Sequence, residues 1–172
     1  MTQETVCIEY RVPRDRIPRA SQDGRRIRLS SVRDERGGDP CRLMPKNVGG
    51  GMPSGDYGTD RPVADIVAQA LAEALEITGA SGSGPGVLGL DVSLTVFEFG
   101  VMVGFARCML RGRMVAEVTL TDPQTGGAVF SATVEGNGHA GLGALVREAF
   151  ASTVDDFLLK LLITPGFLSP AS

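Results

Sequence analysis

Apolar and polar residues alternate over several stretches of this chain and recur at helical spacing over two others. Val6, Ile8, Tyr10 and Val12 alternate with Cys7, Glu9 and Arg11. That is the period of a strand with one buried face, and Pro13 ends it. Residues 13–25 are polar, hold two prolines and read as a loop. Ile27 and Leu29 open a second short strand in RIRLSSV, and a long Gly-rich loop follows over 34–60. Asp60 is placed as an N-cap and Pro62 suits a first helical turn. Val63, Ile66, Val67, Ala70, Leu71, Ala74 and Leu75 then recur at spacings of three and four, a single apolar stripe that Gly79 ends.

From Leu88 the period returns to two. Leu88, Leu90, Val92, Leu94 and Val96 share one face, against Asp91, Ser93 and Thr95 on the other. A further extended segment turns Leu110, Met114, Ala116, Val118 and Leu120 inward. DPQTGG supplies turn chemistry, and Ala128, Phe130, Ala132 and Val134 return as its partner. The last element is an amphipathic helix from about Leu142 to Leu162, stopped by Pro165. The predicted order is β-β-α-β-β-β-α, an α+β fold with one antiparallel sheet and both helices packed on one of its faces. Residues 1–25 read as an N-terminal strand and arginine-rich arm, 26–164 as a single domain, and 165–172 as a tail.

Composition narrows the function classes. The 172 residues are long enough to bury a proper core. Aromatic residues make up 5% and Trp is absent, which disfavours nucleic-acid binding through stacked bases. Residues 1–46 carry 11 Lys and Arg against 7 Asp and Glu, a balance of +4, while 47–172 carry 6 against 13, a balance of -7. The arginines of the basic part are scattered among prolines and acids, so they read as a solvated or partner-facing surface. Cys7, Cys41 and Cys108 form no CxxC pair and have no His at ligand spacing, so no metal site is expected. A Cys7–Cys41 disulfide stays open. MTQETVCIEY lacks the order of a secretory signal, and no stretch is long enough to span a bilayer.

Two glycine motifs fail on mechanism. In KNVGGGMPSGDYGTDRP a phosphate cradle would need Lys and then Ser or Thr after its last glycine. Gly55 is instead followed by Asp56 and Tyr57, which adds negative charge where a phosphate would sit. GPGVLG, residues 84–89, matches a dinucleotide fingerprint letter by letter but leads into a strand instead of a helix. No nucleotide or other cofactor is expected. His139, the single histidine, lies in EGNGHAGLG with no G-x-S-x-G or related signature, and is expected in a loop before the last helix. Arg33, Asp34, Glu35 and Arg36 are the densest charge cluster and read as a salt-bridged loop anchor.

The layout resembles the YajG-like family of bacterial envelope lipoproteins over about residues 26–162. The resemblance rests on VRDER with Asp34 and Arg36, on NVGGGMPSG, on RPVADIVAQALAEALEITGA, and on the later LGLDVSLTVFEF and GRMVAEVTLTDPQTGGAVF. It implies a lipid-anchored envelope protein with no assigned enzymatic activity. Cys7, preceded by QETV, departs from a lipidation site. The expected location is therefore periplasmic or outer-membrane-associated for a mature or truncated chain, and cytoplasmic if Met1 is the native start. The expected function is a non-enzymatic assembly component whose partners are other envelope proteins, with self-association as a further mode. No nucleic acid is expected as a partner, and the membrane only through an anchor absent from this chain. Asp34, Arg36, Gly50, Gly51 and Tyr57 are the expected partner-binding residues. The alternatives are a carrier of a small or lipid ligand, and an enzyme using Asp34, Arg36 and His139.

Overall fold

Two sheets, rather than one, organise the chain. The structure is a computed structural model describing residues 2–48, 52–103, 108–141 and 146–170. In chain order it contains β1 (Thr2–Val6), β2 (Ile27–Asp34), β3 (Arg42–Val48), β4 (Met52–Thr59), α1 (Val63–Thr78), β5 (Leu88–Val103), β6 (Cys108–Thr121), β7 (Ala128–Gly141) and α2 (Val146–Ile163). The larger sheet has the order β2-β5-β6-β7 and the smaller β1-β4-β3. The fold is α+β, as expected, and most pairings are antiparallel. The exceptions are β2 with β5 and β1 with β4, which run parallel.

The second sheet comes from the segment expected as a loop. Residues 42–59 form the β3–β4 hairpin, with Lys46 opposite Gly55 and Arg42 opposite Gly58. Glycine and polar residues hide this hairpin from a pattern search, because its ladder is made by backbone groups. The N-terminal strand is also displaced. β1 ends at Val6, and the alternation that continues through Ile8, Tyr10 and Val12 is one of burial without a ladder. Those side chains and Ile17 join the same core as the helices, so the expected arm is part of the domain. Past α2, Phe167 is fully buried and the Leu168 carbonyl accepts from the Arg25 amide at 2.7 Å.

The α1 stripe is buried as its spacing requires, and Gly79 closes the helix in the left-handed conformation with φ 80°. Its start differs from expectation. The N-cap is Pro62, and the carboxylate of Asp60 instead accepts from the Ile8 amide at 3.2 Å. The first α1 amide, Val63 N, donates to the Pro40 carbonyl at 3.1 Å. A loop carbonyl thus does the work of a capping side chain.

Leu90, Val92 and Leu94 of β5 are fully buried as predicted, but Val96 is not. A bulge at Thr95 breaks the register between Leu94 and Val96, so Phe97 and Phe99 take over the core face. A second irregularity between Leu120 and Thr121 skips Val129, leaving Ala128 exposed instead of inward. Leu110, Met114, Ala116, Val118 and Leu120 all face the core.

The last helix begins at Val146, and the expected first turn, residues 142–145, lies outside the described residues. It packs on β7 over glycine. A Cβ at Gly136 would come within 2.7 Å of Thr153 O, Phe157 N and Phe157 Cβ, and one at Gly138 would overlap the Thr153 amide. These two glycines set how closely the helix backbone approaches the sheet. Among the described residues no helix is long and apolar enough to cross a membrane.

Candidate functional site

Arg36 is the best-connected polar group in the molecule's described interior. Its Nε donates to Asp34 Oδ1 at 2.8 Å and its Nη2 to Asp34 Oδ2 at 2.6 Å, a bidentate pair. Nη2 also donates to the Pro40 carbonyl at 2.9 Å. Nη1 reaches the carbonyls of Arg42 at 2.9 Å and Phe97 at 3.3 Å. A guanidinium has five N–H donors, and here five acceptors meet them. The backbone amide of Arg36 adds a further bond to Asp34 Oδ1 at 3.1 Å. Burial alone would raise the Asp34 pKa, but the hydrogen bonds and charge of Arg36 outweigh it and hold the carboxyl below its ordinary 3.8. The pair therefore ties the end of β2 to the starts of α1 and β3 and to the edge of β5.

A cleft of about 410 Å³ opens beside this knot, between the 36–39 turn, Arg42 and Leu43, and β5 from Thr95 to Phe99. Gly37 and Gly38 adopt φ of 78° and 74°, and a Cβ at either would meet nothing within 4 Å. Its floor is aromatic. Phe97 lies 5.3 Å from Phe99 and 4.9 Å from Phe150 between ring centroids.

The expected site residues do not all meet there. Tyr57 lies in β4, half-buried against the core, and Gly50 and Gly51 fall outside the described residues. His139 is not in a loop. It is an exposed residue of β7, opposite Arg111 of β6, and its amide donates to Ser152 Oγ at 3.4 Å. β7 and β2 are the two edges of the larger sheet, so His139 stands three strand spacings, roughly 14 Å, from the line of Asp34. Asp34, Arg36 and His139 form no joint constellation.

Cys7 and Cys41 are free thiols. They flank the end of β4 on opposite sides, since Val6 pairs with Thr59 while the Cys41 carbonyl accepts from the Thr59 amide. Two strand spacings, about 10 Å, are too far for a disulfide. Among the described residues no three His, Cys, Asp or Glu side chains come together as metal ligands.

Two further features lie outside the expected site residues. Tyr10 donates from its hydroxyl to Asp155 at 2.6 Å, fastening the N-terminal segment to α2. Burial raises the pKa of Asp155, while the Tyr10 hydroxyl and Arg16 pull it down by less. Burial, together with the Asp155 hydrogen bond, also raises that of Tyr10. The second feature is the end of the β5–β6 arm. Val101 and Met102 are each 53% exposed and Met109 is exposed beside them. FGVMV, residues 99–103, abandons the polar–apolar alternation of the preceding strand, and that change of pattern is the signal that marks this arm.

No family model matches the chain, and no curated protein is significantly similar to it. Its fold is similar to a solved structure, that of protein XCC0632 from Xanthomonas campestris, of the family DUF330. The TM-score is 0.66 and the identity 15%, with 92% of each chain covered. A second solved structure, described as an uncharacterized protein, matches with a TM-score of 0.49 at 9% identity, over 92% of this chain and 95% of the other.

Proposed function

We propose that this protein is a non-enzymatic component of the bacterial cell envelope that binds other proteins in an assembly. One observation carries the binding part of this reading. The Asp34–Arg36 pair, the densest charge cluster of the sequence, is spent on internal bonds, while the β5–β6 arm holds Val101, Met102 and Met109 out into solvent. The envelope part rests on the resemblance of VRDER, NVGGGMPSG and the helix after them to YajG-like lipoproteins. The expected partners are other envelope proteins.

The carrier alternative needs an enclosed apolar cavity between helices and sheet. That space holds Phe150, Phe157, Leu158 and Leu161 against Leu94, Met114 and Ala116, all with almost no exposure. The clefts among the described residues open at the surface instead.

The test is crosslinked affinity capture of the tagged chain from separate envelope and cytosolic fractions, followed by rebinding of each purified candidate. The reading predicts a saturable complex with an envelope protein. It fails if neither fraction yields a protein that rebinds when purified.

A further inference from the structure

We infer that the free edge of β5 beyond Leu94 is a receiving edge for an extended segment of a partner protein that carries an acidic side chain. β5 has 16 residues, but β2 accompanies it only from Leu88 to Leu94. The Glu35 amide donates to the Leu94 carbonyl at 2.9 Å, and the chain then turns away at Gly37 and Gly38. On its other side β5 stays paired with β6 as far as Val103. On the β2 side the start of β3 comes beside β5 near Phe97 without pairing with it, and among the described residues no strand pairs with the edge beyond.

The direction of the backbone groups follows from Arg36. Its bond to the Phe97 carbonyl shows that this carbonyl points away from β6. In an antiparallel pair the N–H and C=O of one residue point the same way, with a period of two. Phe99 and Val101 therefore present their amides and carbonyls on the free edge, and among the described residues no backbone group bonds to them there. The opposite edge of the sheet is treated differently. On β7 the Asn137 amide donates to Asp156 at 2.7 Å and the His139 amide to Ser152, so α2 covers that edge.

Charge selects the occupant. On the outer face Gly100 stands opposite Arg111, and nothing lies within 4 Å of where its Cβ would be. Arg111 leans toward β5, with Nη1 3.9 Å from Met102 Sδ, and among the described residues no carboxylate pairs with it. Arg113, by contrast, is held by Glu135 at 3.1 Å and lies 3.9 Å from Glu98. A strand laid along β5 would meet Arg111 across the bare backbone of Gly100, and an Asp or Glu at that position would supply the missing partner. Its apolar residues would lie beside Val101 and Met102. A second copy of this chain pairing through the same edge about Gly100 would bring Arg111 against Arg111, which disfavours self-pairing. The occupant is thus an extended, acidic–apolar segment of another protein, bound by strand addition.

This inference rests on the protein-binding reading but is tested without a natural partner. The probe is a synthetic nine-residue peptide of alternating valine and threonine with one central aspartate, titrated into the isotope-labelled full chain and followed by amide chemical shifts. Shifts centred on Phe99, Gly100 and Val101 are expected. Methylating the peptide amides that face β5 should weaken binding about ten-fold, and replacing aspartate by asparagine about three-fold. Arg111→Glu, an exposed substitution, should reverse the preference toward a lysine-bearing peptide. Shifts elsewhere, none at millimolar peptide, or indifference to amide methylation would overturn the inference. A null result here beside successful capture of an envelope partner would remove the edge and leave the protein-binding reading standing.

Discussion

Among single residues Arg36 joins the most elements, because one side chain reaches both sheets and the carbonyl that caps α1. Arg36→Lys keeps the charge but loses the fork, so it should destabilise nearly as much as Arg36→Ala, by about 3 kcal/mol. Urea unfolding of both variants measures this. The pair also predicts a pH dependence. The Asp34 carboxyl lies below its ordinary 3.8 in the folded chain, so its contribution is present above that value and is lost as the pH falls through the folded one. In Asp34→Asn this acid-side loss should disappear from the stability–pH curve. Asp155 carries the opposite sign. Its pKa is raised by burial, so the folded chain holds a proton that the unfolded chain releases just above 3.8, and ionisation on raising the pH costs stability. Tyr10→Phe removes the hydroxyl that stabilises the carboxylate. It should cost about 1–2 kcal/mol at neutral pH and raise the Asp155 pKa further, as a carboxyl-carbon NMR titration would show.

At the scale of elements, the apolar pattern exposed what is buried more faithfully than what is paired. The α1 stripe, the inward residues of β6 and the alternation at Ile8, Tyr10 and Val12 all reached the core. The β3–β4 hairpin was illegible because its sequence has no apolar alternation and its partner, β1, is distant in the chain. Thr95 hid a bulge, since Val96 reads as the next inward residue until the register slips. Of the candidate site, the Asp34–Arg36 pair was legible as a local charge cluster. The free β5 edge was not, because it depends on where β2 stops. EGNGHAGLG reads as a loop in the sequence, yet its Gly136 and Gly138 are where β7 comes closest to α2. Gly138→Ala should cost about 1–3 kcal/mol by forcing the helix outward. Gly141→Ala, with open space at its Cβ, should melt like the parent in a calorimeter.

For the whole molecule, one core joins both helices, the N-terminal segment and the residues after α2. What that body presents to others is asymmetric. On the β7 edge α2 side chains take the Asn137 and His139 amides, while among the described residues no backbone group pairs with the β5 edge at Phe99 and Val101. On the proposed reading, an envelope partner binds along the edge of β5 beyond Leu94. Site-specific photocrosslinking in living bacteria tests this, with a photoreactive residue at Met102 and, as a control, at Val129, which is 43% exposed on β7, at the opposite edge of the sheet. A discrete adduct with an envelope protein is expected from position 102 and none from 129. Equal adducts from both positions, or no adduct from 102, would contradict it.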